Sequence, residues 1–216
     1  MIEIILSGFF FLFIIVTNIV SGRFGYETFS KLDPDAQLQK IGDDPKKFKI
    51  GIALALIEHA SVIALTILLF IAFSSFNLTL GIFWLIFRTA EGLIQFINEP
   101  NYYRLLKIAK QYSNSNEKDF LKNEAKNIFK TKDQRFKIAM ICWSIGTLVF
   151  SIVLVISEII PELIGYLGII ASILVGSTTT IKLVKPKSKD FTTIGGLTAI
   201  LFEVLIGIAL IYYSII

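Results

Sequence analysis

Ile50–Phe73, IGIALALIEHASVIALTILLFIAF, is a continuous apolar run in which only Glu58 and His59 can carry a charge. At about 1.5 Å per residue such a run makes a helix of roughly 36 Å, enough to cross a hydrocarbon core roughly 30 Å thick. Hydrocarbon offers no water to the peptide groups, so a spanning segment is either a helix or a strand of a closed barrel. The run does not alternate polar and apolar residues and is too long for a tilted strand, which leaves the helix. The same pattern recurs at about Ile4–Val20, Leu78–Asn98, Phe136–Ser157, Ile159–Ile181 and Phe191–Tyr213. The 216 residues are 54% hydrophobic and 18% charged, with a mean hydropathy of +0.71. The expected fold is therefore an all-α integral membrane protein, a six-transmembrane-helix bundle forming a single domain over residues 1–216.

Orientation follows from where the basic residues fall. Of the 21 lysines and arginines, Arg88 alone lies within a span. The others sit in or at the edges of the connections at 21–49, 99–135 and 182–190, the first, third and fifth, which share one side. The turns at Ser74–Asn77 and around Glu158, Pro161 and Glu162 contain none, and neither do the ends of the chain. Lysine and arginine concentrate on the cytoplasmic side. This predicts a multi-pass protein of the cell membrane with both termini extracytoplasmic. Met1-Ile2-Glu3 lacks the positive charge that opens a secretion signal, so the first window reads as a retained span. The same basic loops account for the net charge of +4 without a nucleic-acid partner.

The connections have patterns of their own. In Asn101–Lys132, Tyr102, Leu105, Leu106, Ile108, Ala109 and Tyr112 recur at helical spacing, as do Phe120, Leu121, Ala125, Ile128 and Phe129. The reading is two amphipathic helices separated by Ser113–Asn116, lying on the membrane surface with lysines near anionic headgroups. A protein partner or a second copy of the chain could dock there instead. Asp33-Pro34-Asp35 and Asp43-Asp44-Pro45 read as solvated turns, because no EF-hand spacing accompanies them.

Charges inside spans cost about 2.5–3.5 kcal/mol each on insertion scales, so they mark candidate sites. They are Glu58, His59, Arg88, Glu91 and Glu203, whereas Glu99 and Glu158 stand near span ends, within reach of the interface. Arg88, Glu91, Gln95 and Asn98 share a helical arc of roughly 80°. Counting at about 1.5 Å per residue puts Arg88 and Glu203 near the midplane, with Glu58, His59 and Glu91 one layer closer to the basic side. Arg88 is expected to pair with Glu203 or with Glu91. The candidates for ligand binding or proton coupling are Arg88, Glu91, Gln95, Glu58, His59 and Glu203. Gly165, Gly168, Gly195, Gly196 and Gly207 are expected to let helices approach closely, and Ser177–Thr180 to return hydroxyl bonds to their own helix or to line a vestibule.

Several chemistries have no residues to carry them. No lysine lies deep in a span for a retinal Schiff base, and no aspartate for an intramembrane dyad. The one histidine cannot ligate a haem from both sides or complete a zinc-binding HExxH helix, and Cys142 has no partner for an intrachain disulfide. No P-loop occurs, and no cofactor or metal is expected. Three functions stay open: binding or transport of a small or amphiphilic solute with proton coupling, a scaffold or sensor whose buried charges are structural, and an intramembrane enzyme acting on a lipid or isoprenoid. Enzymatic activity is the less favoured.

With Arg88-Thr89-Ala90-Glu91-Gly92-Leu93-Ile94-Gln95-Phe96-Ile97-Asn98 in place, the chain resembles the domain of unknown function 4386 family of prokaryotic six-span membrane proteins. The likeness rests on an N-terminal span, a polar connection, the Arg-x-x-Glu step on the third span and a late pair of spans joined by a short basic loop. It implies the six-helix fold and no particular activity.

Overall fold

The computed structural model describes residues 2–26, 33–112, 115–186, 188 and 192–214. They form seven helices, α1 (Ile2–Arg23), α2 (Pro34–Asp43), α3 (Pro45–Phe73), α4 (Leu78–Tyr112), α5 (Lys118–Ser157), α6 (Glu162–Val184) and α7 (Thr192–Tyr213), and no strand among the described residues. All but α2 are long and apolar enough to span a membrane, as the hydropathy pattern requires. Ser113, Asn114 and Phe191, which the sequence reading assigns to a turn and a span start, lie outside the described residues.

The six long helices close into a ring, each packing on the next in the order α1, α3, α4, α5, α6, α7 and back to α1. Small residues set the spacing. A Cβ on Gly8 would stand 2.6 Å from the Gly207 carbonyl oxygen, so α1 and α7 touch backbone to backbone there. Gly165 faces Val155 as closely, and Gly195 lies against the α6 backbone at Val175. Gly196 departs from expectation: a Cβ there would meet nothing within 4 Å. Leucines and isoleucines such as Ile71, Leu163 and Leu197 are exposed around the outside of the ring, as lipid contact demands.

Inside, the end away from the basic connections is filled. Phe11, Leu65, Leu69, Phe73, Trp84, Phe150, Leu154, Phe202, Ile206 and Leu210 are all buried in one cluster. Phe150 packs edge-on to Phe73 at 5.4 Å and against Trp84 at 4.6 Å, and the Trp84 indole donates to the Thr66 carbonyl at 3.1 Å. Buried hydroxyls at Ser7, Thr66, Ser151 and Ser172 bond to carbonyls one turn back, so none competes for the centre.

At the basic end two expectations are corrected. The stripes of Asn101–Lys132 do not lie on a membrane surface as separate helices. They prolong α4 and α5, which at about 1.5 Å per residue are roughly 52 and 60 Å long and project as a hairpin well past a bilayer. Their apolar residues meet each other and α2: Tyr102, Leu105, Ala109 and Tyr112 pack with Leu121, Ala125 and Ile128 under Leu38 and Ile41. Burial against protein satisfies the same periodicity that an interface would. The helix also runs through Pro100, losing one backbone bond without ending. The Asp-Pro steps are not simply solvated turns either. Asp33 and Asp44 cap α2 and α3, accepting from the amides of Asp35 and Lys47 with Pro34 and Pro45 in the first turn. Asp35 then bonds the Tyr112 hydroxyl at 2.6 Å and Lys122, fastening α2 to the hairpin.

Candidate functional site

Between the aromatic cluster and the hairpin base the ring encloses a cavity of about 290 Å³ to which every long helix contributes. Liquid water occupies about 30 Å³ per molecule, so the space suits a small organic group. Its walls are largely apolar. Its polar groups come from α1 (Asn18), α3 (Glu58, His59), α4 (Arg88, Glu91, Gln95), α5 (the Trp143 indole), α6 (Thr178, Thr179) and α7 (Thr192, Glu203). All six candidates read from the sequence thus line one space. Asn98 does not: it accepts from the Asn101 amide at 3.0 Å at the foot of the hairpin.

Arg88 is 2% exposed, with its guanidinium 5.3 Å from the Trp84 ring and 5.9 Å from the Trp143 ring, and its stem lies across Gly146, where a Cβ would come within 2.8 Å of Cγ. Glycine at that position is what admits the arginine. Two electron-rich ring faces and a carboxylate replace the water that hydrocarbon cannot supply. The carboxylate is Glu91, whose Oε2 lies 2.5 Å from Nη1. The angles are not those of a hydrogen bond, and Arg88 Nε and Nη1 and Glu91 Oε2 have no hydrogen-bond partner. Of the two pairings expected for Arg88, the structure shows the one with Glu91. Glu203 accepts the Trp143 indole N–H at 3.0 Å.

Glu58 accepts from Asn18 Nδ2 at 3.1 Å through Oε1, while its Oε2 is buried without a hydrogen-bond partner. His59 turns its Nε2 to Glu99 at 3.1 Å. The sequence reading left Glu99 at the interface. It is instead 3% exposed and also accepts the Tyr26 hydroxyl at 2.5 Å, because α4 continues past Pro100 and carries this residue inside the protein. Tyr26 stacks on Tyr102 at 4.1 Å, and Lys132 Nζ stands 4.1 Å over that ring. Burial first, then Tyr102 and Glu99, hold the Tyr26 phenol protonated far above its usual range. A polar chain therefore leads from the cavity wall at His59 to the base of the hairpin.

Asn18, Trp143 and Tyr26 escaped the sequence reading as site residues. Asn18 offered a signal, being an amide in a window that is otherwise almost wholly apolar. Trp143 and Tyr26 offered none, since aromatic residues are common in and beside spans. Ser177 and Thr178 donate to the Ile173 and Leu174 carbonyls at 2.6 Å, as the first reading of that stretch expects, and Thr178 also lines the cavity.

No curated protein and no solved structure matches the chain. The family described as a domain of unknown function (DUF4386) matches residues 6–212, from the first turns of α1 almost to the end of α7. The match takes in the whole ring and the cavity within it, and the chain belongs to that family.

Proposed function

We propose that this protein binds a small or amphiphilic solute in the cavity and moves it across the membrane, with protons exchanging on the cavity carboxylates. The observation that carries the reading is the wall itself, where Glu58, Glu91 and Glu203 face a single guanidinium, Arg88. Ionised carboxylates in a low-dielectric interior need compensation, and the protein's own cation serves one of them. Protons or a bound solute make up the rest, and exchange between the two is coupling. The titratable groups facing these acids are His59 on α3, with Glu99 behind it, and Cys142 on α5. The apolar cluster beyond the cavity blocks a continuous pore, which favours alternating exposure over a channel.

The basic connections fit a layout with that end of the bundle at the cytoplasmic face of the cell membrane and both termini outside. The basic residues at the foot of the hairpin would then meet anionic headgroups, and its tip a protein partner or a second copy. In a Cys142→Ala background, a membrane-impermeant maleimide should label Asn77→Cys in intact cells and Ser115→Cys only after permeabilisation. The reverse pattern defeats the layout.

Transport is tested in proteoliposomes enclosing a pH dye, challenged with panels of amines, carboxylic acids and sugars. At least one compound should drive proton movement that Glu91→Gln abolishes. If none moves protons or raises the melting temperature, the reading fails. The scaffold reading draws support from the packing of Arg88 between two indoles, and it requires Glu58→Gln and Glu203→Gln to stabilise the protein with no compound having any effect.

A further inference from the structure

We infer that the solute is an amphiphilic organic cation, an ammonium group on an apolar chain, and that it reaches the cavity sideways through a crevice between α1 and α7. The inference rests on the solute-binding reading above and assigns it a chemical class and a route.

The class follows from charge and shape. The charge of Arg88 is met by Glu91 at 2.5 Å, so although its Nε and Nη1 lack hydrogen-bond partners, the surplus charge of the wall is negative and lies on Glu58 and Glu203. Glu58 has a buried carboxylate oxygen with no hydrogen-bond partner, and Glu203 has a single one in Trp143. An ammonium supplies both the positive charge and the donors these oxygens lack. Trp143 adds an aromatic wall suited to a cation. Most of the remaining wall is apolar, with Ile14, Ile15, Val62 and Met140 among its residues, which suits the chain and disfavours a fully hydrated ion.

The route follows from how the seams of the ring are closed. Towards the cavity, α3 is joined to α1 by Gly51 against Ser21 and by the Asn18–Glu58 bond, α4 is sealed on α3 by Gly92 against Ile63, α5 on α4 by Gly146 against Arg88, α6 on α5 by Gly176 against Ser144, and α7 on α6 by Gly195 against Val175. The seam between α7 and α1 has its close contact at the opposite end, at Gly8 and Gly207. Towards the cavity the two helices present Asn18 and Ile19 on one side and Gly196 and Ile200 on the other. Ile19 is 51% and Ile200 46% exposed, and a side chain on Gly196 would project into empty space. Ile200 lies about 12 Å along α7 from Thr192 at 1.5 Å per residue, a depth of acyl chains, not of water. Glu58, bonded to Asn18, stands at the inner edge of this opening. A cation dissolved in that leaflet could place its head among the carboxylates and leave its chain in the crevice.

The test uses the full-length protein in nanodiscs, with empty nanodiscs as the blank, and three probes of one chain length: n-octylammonium, n-octanol and n-octanoate. Octylammonium should bind at least tenfold more tightly than octanol, and octanoate more weakly still. Glu58→Gln should cut octylammonium affinity about tenfold and leave octanol unchanged. Glu203→Gln serves the same purpose should Glu58→Gln fail to fold. Gly196→Phe should weaken all three probes at least fivefold with an unchanged melting temperature. Preferred binding of octanoate, or an affinity for octylammonium indifferent to both carboxylates, overturns the cation while sparing the cavity. Undiminished binding to Gly196→Phe overturns the crevice. Absence of binding by any probe overturns the inference, and the solute-binding reading falls with it only if the wider panel in proteoliposomes is silent too.

Discussion

The indole N–H of Trp143 reaches Oε1 of Glu203 at 3.0 Å, and this contact occupies the carboxylate that stands across the cavity as the other possible partner of Arg88. Arg88 thus belongs to its own helix, through Glu91, more than to α7. The distinction is measurable. Arg88→Gln or Glu91→Gln should each destabilise the protein by about 3–5 kcal/mol, because each strands a buried charge. The double substitution should cost much less than the sum. Coupling of Arg88 to Glu203 in the same thermal-denaturation cycle should be no more than half as large, and an equal value would place the ion pair wrongly.

Removing the Tyr26 hydroxyl leaves Glu99 with one donor fewer in a buried site. Tyr26→Phe should therefore cost about 1.5–3 kcal/mol, the range for hydrogen bonds to charged groups. The wild-type protein should also lose stability as pH rises above about 10, where an unfolded tyrosine ionises and the folded one does not. A raised folded pKa contributes stability that is complete below the unfolded value and disappears above it, and this alkaline limb should flatten in Tyr26→Phe. An unchanged limb would show that the phenol is not held as described.

The fastening of α2 to the hairpin has the opposite pH signature. Lys122 first, and the Tyr112 hydroxyl next, hold the Asp35 carboxyl below its usual range. A lowered folded pKa gives stability that is full above the unfolded value near about 3.9 and is lost as pH falls through the folded value. Hydrogen exchange should show α2 opening in that acid window in the wild type. In Asp35→Asn the protection of α2 should be lower at neutral pH and nearly flat across the same window.

Glycine substitutions separate tight seams from the open one. Gly8→Leu drives a side chain into the backbone of α7 and should cost about 1–3 kcal/mol or more, as overpacking does. Gly22→Ala has nothing within 4 Å and should be neutral or slightly stabilising, since alanine favours the helix by up to about 1 kcal/mol. Equal melting temperatures for the two variants would mean that α1 and α7 do not meet at Gly8.

Hydropathy and residue type carried the reading of the bundle a long way. The turn at Ser74–Asn77, the start of α4 at Leu78 and the shared face of Arg88, Glu91 and Gln95 all follow from local pattern, because lipid leaves a long apolar segment one conformation. The hairpin did not follow. A helix that packs on another and a helix that lies on a membrane have the same apolar period, and nothing within Asn101–Lys132 says which surface receives the stripe. The span read as ending at Asn98 runs on in the structure as α4, straight past Pro100. Glu99 was misjudged in turn, since a carboxylate at a supposed helix end needs no partner and one in mid-helix does. Which helices neighbour one another around the ring, and hence the crevice between the first and the last, depends on glycine contacts between segments distant in sequence.

Because α4 is continuous from Arg88 to Tyr112, one helix joins the guanidinium of the cavity wall to the tyrosine that holds α2. At about 1.5 Å per residue that stretch is roughly 36 Å long, so a tilt of about 5° at the cavity swings its far end by about 3 Å. Asp35 clamps α2 onto that end through Tyr112 and Lys122, so the swing would carry the small helix with it. Any tilt of α4 at the cavity would therefore arrive at the α2 end of the hairpin enlarged by the length of the helix.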